Sequence, residues 1–183
     1  AQNIGEGSTV GMKLLGAESR EESMAILDQM EIDQEARKEA MREFLNSEKD
    51  FETYEKYAAR QSEYQQLGGI RSVMDEIGEP LSFEQEERLV DAMYAARVES
   101  GMVENWEGRA GFLQHGRPGT SDRFETDWNE MQSDMEGDLQ SILSGAQREA
   151  FLSQQEQTKG WVLMQIRMVE GMIEAARKEN RGN

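Results

Sequence analysis

The sequence predicts an all-α protein of five or six amphipathic helices arranged in antiparallel hairpins. Three observations carry that expectation. From Glu18 onward the chain is dominated by Glu, Ala, Gln, Arg, Met and Leu, all good helix formers. Val, Ile and Thr never alternate over a length that makes a half-buried strand. The only two prolines, Pro80 and Pro118, fall where the apolar periodicity stops.

Each element has its own signal. Residues 1–17 hold Gly5, Gly7, Gly11 and Gly16 and read as a flexible lead-in, with a short apolar anchor at Val10, Met12, Leu14 and Leu15. Residues 18–31 predict a short helix with Met24, Leu27 and Met30 on one side and Ile26 beside them. Asp33 then reads as the cap of a second helix bearing Ala36, Ala40, Met41, Phe44 and Leu45. After a pause at Ser47, a third helix is expected from Lys49 to Ile77. Its stripe is Phe51, Tyr54, Ala58, Gln61, Tyr64, Leu67, Ile70, Val73 and Ile77. Gly68 and Gly69 inside it cost about 1 kcal/mol each against Ala, which marks a kink or a close helix crossing. Gly78 and Pro80 end it. Ser82 and Gln85 form the capping-box pattern that opens a fourth helix, reaching to about Glu104 with Leu89, Met93 and Ala96 beside Val90 and Tyr94. Residues 105–120, with Gly108, Gly111, Gly116, Pro118 and Gly119, predict a Gly-rich loop between an N-terminal half (18–104) and a C-terminal hairpin (121–183), the halves packing as one domain. A fifth helix from Ser121 or Asp122 carries Phe124, Trp128, Met131, Met135, Leu139 and Ile142. A second capping box, Ser144 and Gln147, opens the last helix, to about Lys178. Its heptad-like seam is Val162, Ile166, Val169, Ile173 and Ala176.

Composition limits the chemistry. The 183 residues suit one domain, or two small ones. Lys plus Arg is 20 and Asp plus Glu is 37, giving a net charge of −17. Only 33 residues are Leu, Ile, Val or Phe, a proportion typical of disordered chains, but twelve Met, three Trp and four Tyr enlarge the apolar set. Without Cys there is no disulfide, thiol nucleophile or zinc–thiolate site, and a single His excludes a multi-histidine metal site. The charge argues against nucleic acid and anionic membrane as partners, since phosphates need Lys and Arg. No run of about 18 apolar residues offers a membrane span. No signal peptide is visible; an Ala-Gln start fits cleavage after a small-residue signal site and a trimmed product equally well.

The two helix-opening segments are alike. Leu81-Ser82-Phe83-Glu84-Gln85 and Leu143-Ser144-Gly145-Ala146-Gln147 both read L-S-x-x-Q. This resembles the LTxxQ motif of periplasmic helical stress proteins of the Spy and CpxP type, with Ser for Thr. The stretch from Tyr54-Glu55-Lys56-Tyr57 through Pro80-Leu81-Ser82 to Arg97 also resembles uncharacterised bacterial envelope-type helical proteins that carry Y-x-x-Y and P-L-S-x-x-Q. The resemblance implies helical hairpins, often in curved dimers, a periplasmic or otherwise exported location, and ATP-independent chaperone or stress-sensor accessory activity. It covers the two motif-led helices and leaves 105–142 unexplained. The acidic charge departs from the basic surfaces that client- or membrane-binding members tend to present.

Trp161, Met164, Met168 and Met172, together with Met131 and Met135 beside Trp128, are the candidate binding residues. Flexible, polarisable methionines suit an adaptable groove for unfolded or helical clients. The same stripes also suit a core, two Met-rich faces meeting inside a bundle, or a thioether site for Cu(I). Asp122, Glu125, Asp127, Glu130, Asp134, Glu136 and Asp138 crowd the fifth helix and read as a solvated acidic face, since Asp134-x-Glu136-Gly137-Asp138 does not match a calcium loop. In the long loop, Trp106, Arg109 and Phe112 are either a recognition element or a pin to the bundle, and His115 has no nucleophile in its neighbourhood. With no acid–base or nucleophile constellation, no cofactor and no metal site expected, the sequence points to a non-enzymatic binding protein of the bacterial envelope, chaperone-like through an apolar helical surface. The alternative is an acidic regulatory or structural adaptor for one defined protein partner. A single-domain bundle and a homodimer are both compatible with the pattern.

Overall fold

The computed structural model describes residues 20–107, 111, 114 and 117–181, with side chains at 21–107, 111, 114 and 117–175. Among them are seven α-helices and no strand: α1 (Arg20–Phe44), α2 (Glu48–Ala59), α3 (Gln61–Glu76), α4 (Phe83–Glu99), α5 (Met102–Trp106), α6 (Thr120–Ile142) and α7 (Gly145–Arg181). The all-α expectation holds. The expected lead-in, and Arg109, Phe112 and His115 of the long loop, lie outside the described residues.

The chain divides into two compact units, residues 1–56 and 57–183. In the first, α1 is one helix where the sequence suggested two. Asp33 does not cap a new helix; its carboxylate accepts from the Gln29 amide at 2.8 Å on the helix surface. Good helix formers on both sides carry the backbone through it. Ser47 caps α2 instead, its hydroxyl accepting from the Asp50 amide. Leu27 and Phe51 are buried, and the Arg42 guanidinium lies 4.2 Å from the Phe51 ring centre. Lys38 pairs with Glu55 at 2.7 Å. Phe44, an expected apolar-face residue, is exposed.

In the second unit each of α3, α4, α6 and α7 packs on two of the others, α3 on α4, α4 on α6, α6 on α7 and α7 on α3, and α5 bridges α4 and α6. Their shared core contains Ile70, Met74, Leu89, Met93, Phe124, Trp128, Met135, Leu139, Phe151 and Ile166. The expected third helix is broken at Arg60 into α2 and α3. The buried face of α3 is Glu63, Leu67, Ile70 and Met74, rotated from the expected stripe, and Ile77 is exposed. At Gly69 a Cβ would stand 2.7 Å from the terminal amide nitrogen of the Gln154 side chain of α7, which would have to shift to admit it. Gly78, at φ 75°, ends α3 with paired bonds from its own amide to Asp75 O and from the Glu79 amide to Met74 O. The expected fourth helix stops at Glu99, where Ser100 and left-handed Gly101 turn the chain into the separate α5. α6 begins at Thr120, and all six residues of its expected stripe are buried. No helix among the described residues is long and apolar enough to cross a membrane.

Candidate functional site

α7 carries two apolar faces. Its inner face is Gln147, Phe151, Gln155, Leu163 and Ile166, all buried, with Val162 partly so. Spaced by three, four or two turns (eight residues), these side chains fill the seam against α6 and α3. The outer face is Trp161, Met164, Met168 and Met172, exposed at 62%, 57%, 55% and 65%. The methionines of α6 have the opposite fate, Met131 and Met135 being 7% and 2% exposed in the core. The six candidate binding residues therefore fall in two places, and only the α7 four share a solvent-facing surface.

Leaving one such side chain in water forgoes about 1.5–3 kcal/mol of burial. Four in a row expose on the order of several hundred Å² of apolar surface, the size of patch that marks interaction sites on soluble proteins. Cations beside the patch are engaged. Arg167 reaches Glu125 at 3.4 Å, and Lys159 holds Glu156 at 2.8 Å and Asn129 at 3.2 Å.

The two L-S-x-x-Q motifs meet in space. Ser82 Oγ accepts from the Gln85 amide at 3.2 Å while Gln85 Oε1 accepts from the Ser82 amide at 3.0 Å. Ser144 and Gln147 repeat this at 3.1 and 3.0 Å. The glutamines also bridge the motifs. Gln85 Nε2 donates to Gln147 Oε1 and to Ile142 O, both at 2.9 Å, and Gln147 Nε2 donates to Glu79 O at 3.0 Å. Ser144 Oγ donates to a Glu79 carboxylate oxygen at 2.5 Å. Leu81 and Leu143 pack on the core beneath. The motif thus caps two helices and ties the α3–α4 turn to the α6–α7 turn, a structural role.

Other polar groups were not legible as a set. Glu63 is buried at 1% exposure and accepts from Arg97 Nε at 2.5 Å; Arg97 also bonds Ala59 O and Glu107. The one available signal is position: Glu63 lies four residues before Leu67 on the buried face. Arg60 pairs with Asp91 at 2.6 Å and sits over the Tyr94 ring. Tyr57 stacks on Tyr64 at 4.9 Å between centroids. Burial, reinforced by the charges of Glu87 and Asp91, pushes the Tyr64 phenol above its usual range. Trp106 donates to Asp127 at 2.8 Å and meets Phe124 edge-on, which pins this end of the long loop to α6.

The N-terminus of α6 lacks a side-chain cap of its own, since Gly119 is its N-cap residue. Glu170 of α7 supplies one, accepting from the Ser121 amide at 3.2 Å and hydroxyl at 2.8 Å. Burial opposes its ionisation, but the bonds from Ser121 and the Thr120 amide and the charge of Arg123 outweigh it and hold the carboxyl below its ordinary range. Among the described residues no three His, Asp or Glu side chains gather to hold a metal ion. No protein-family model, curated protein or solved structure matches the chain.

Proposed function

We propose that this chain is a non-enzymatic, chaperone-like binding protein of the bacterial envelope that takes up apolar segments of other proteins on the outer face of α7. One observation carries the reading: Trp161, Met164, Met168 and Met172 line one exposed helix face while the core is completed without them. Methionine adapts to varied partners, and a helical apolar face receives helical or unfolded segments. The face is presented by helices in antiparallel hairpins. Supporting this, α6–α7 partners pair Lys159 with Asn129, Arg167 with Glu125 and Glu170 with Ser121, so one number falls as the other rises. The envelope location draws support from the two L-S-x-x-Q motifs and their resemblance to periplasmic stress proteins. The test is aggregation of an unrelated protein unfolding by heat. The full chain in molar excess suppresses light scattering without ATP; no suppression contradicts the reading.

A further inference from the structure

The outer face of α7 has a second regularity. At 100° per residue, Gly160, Trp161, Met164, Met168, Gly171 and Met172 fall in one sector of about 120°. The charged residues of this stretch, Arg167, Glu170 and Glu174, lie outside that sector, in a chain whose net charge is −17. Gly160 and Gly171 have nothing within 4 Å of where a Cβ would stand. Large and small residues are reciprocal about position 166. Trp161 and Gly171 are equidistant from it, as are Met172 and Gly160, and Met164 and Met168. Gln157 and Ala175, both exposed, extend the series.

We propose that this face pairs with the same face of a second copy of the chain, the two α7 helices running antiparallel about a two-fold axis that crosses the outer face at the height of residue 166, opposite the buried Ile166 side chain. The proposal deepens the protein-binding reading of the same face and rests on it: the second copy is the occupant, and an apolar client competes with it. Two-fold pairing requires that if residue i meets residue j, then j meets i. The reciprocal series satisfies that requirement, each large side chain of one copy meeting a small one of the other and the two central methionines lying side by side. Charge selects the same face. Two copies of an acidic chain repel, and an uncharged sector lets them meet without carboxylate facing carboxylate. Arg167 of each copy flanks the axis on one side, where its own Glu125 offsets the facing guanidinium. The buried area is on the order of 1,000 Å², at the low end for specific pairs, so the dimer is concentration-dependent and strengthens as salt screens the net charge.

The chain has no Cys, so introduced thiols report the register directly. Full-length Gln157→Cys and Ala175→Cys chains are oxidised separately and mixed. In the antiparallel pair, residue 157 of one copy meets 175 of the other, whereas identical positions stand about 27 Å apart along the axis. The mixture should cross-link at least tenfold faster than either variant alone. Equal rates, or no cross-linking of the mixture, overturn the proposal. Gly171→Glu gives a second readout, because a side chain there meets nothing within the single chain and its melting temperature should be kept. Its carboxylate would face the partner's Trp161, so sedimentation should show loss of the dimer; a dimer that persists overturns the register. A chain that is monomeric at every concentration yet suppresses aggregation overturns self-pairing and leaves client binding standing. Register-specific cross-linking without suppression supports self-pairing and overturns the client reading.

Discussion

The methionines of α6 and those of α7 share a spacing and differ in everything else. Met131 and Met135 sit four apart beside Trp128 and are buried; Met164, Met168 and Met172 sit four apart near Trp161 and are exposed. What differs is the rest of each helix. α6 has a single apolar stripe, so its methionines must build the core. α7 has a second stripe through Phe151, Val162, Leu163 and Ile166 that already fills the seam, which turns its methionines outward. A periodic methionine is committed to the core only when its helix has no better face to bury.

The largest effect should come from Met135→Gln. It removes a buried thioether and places an unpaired amide in the core, costing about 3 kcal/mol or more, read as a steep drop in melting temperature. Next is Gln147→Ala, which strands the Ser144 amide and Glu79 O and removes the bridge to Gln85. Its expected cost is about 2 kcal/mol by denaturant unfolding, and a double-mutant cycle with Gln85→Ala should show coupling. Glu170→Gln should act through pH. Its folded-state carboxyl lies below the ordinary 4.5, so folding favours the ionised form. The stabilisation it gives is present above that value and is lost as pH falls through the lowered one. The Gln variant should therefore lose less stability than the parent as pH falls below the ordinary 4.5 in acid titrations. Smallest, Met164→Gln, Met168→Gln and Met172→Gln should each change stability by no more than about 0.5 kcal/mol while abolishing client capture. A large loss of stability in these three would erase the contrast between the helices.

Local chemistry was legible in the residues, and tertiary choices were not. Ser82 with Gln85, and Ser144 with Gln147, cap their helices as the pattern implies, because a capping box is closed within four residues. Gly78 ends α3 for an equally local reason. The bridge between the two boxes joins residues far apart in the chain, and nothing in either motif announces it. Asp33 looks like a cap and lies mid-helix because strong helix formers flank it. Glu63 displaced the expected Gln61 and Tyr64 from the buried face because Arg97, on another helix, neutralises it there. Glu170 caps α6 across the bundle, which the sequence around Gly119 does not show. The sequence grouped the four residues of the α7 face with Met131 and Met135, which are buried; which methionines faced core or solvent depended on the competition between the two stripes of α7.

Methionine oxidation followed by peptide mass spectrometry tests the contrast most directly, since peroxide converts accessible thioethers to sulfoxides. In dilute protein, Met164, Met168 and Met172 should oxidise well ahead of Met131 and Met135. Raising the protein concentration should slow the α7 set alone, as a second copy covers it. Equal oxidation of both sets would contradict the division between core and binding face, and α7 rates indifferent to concentration would contradict the pairing of that face.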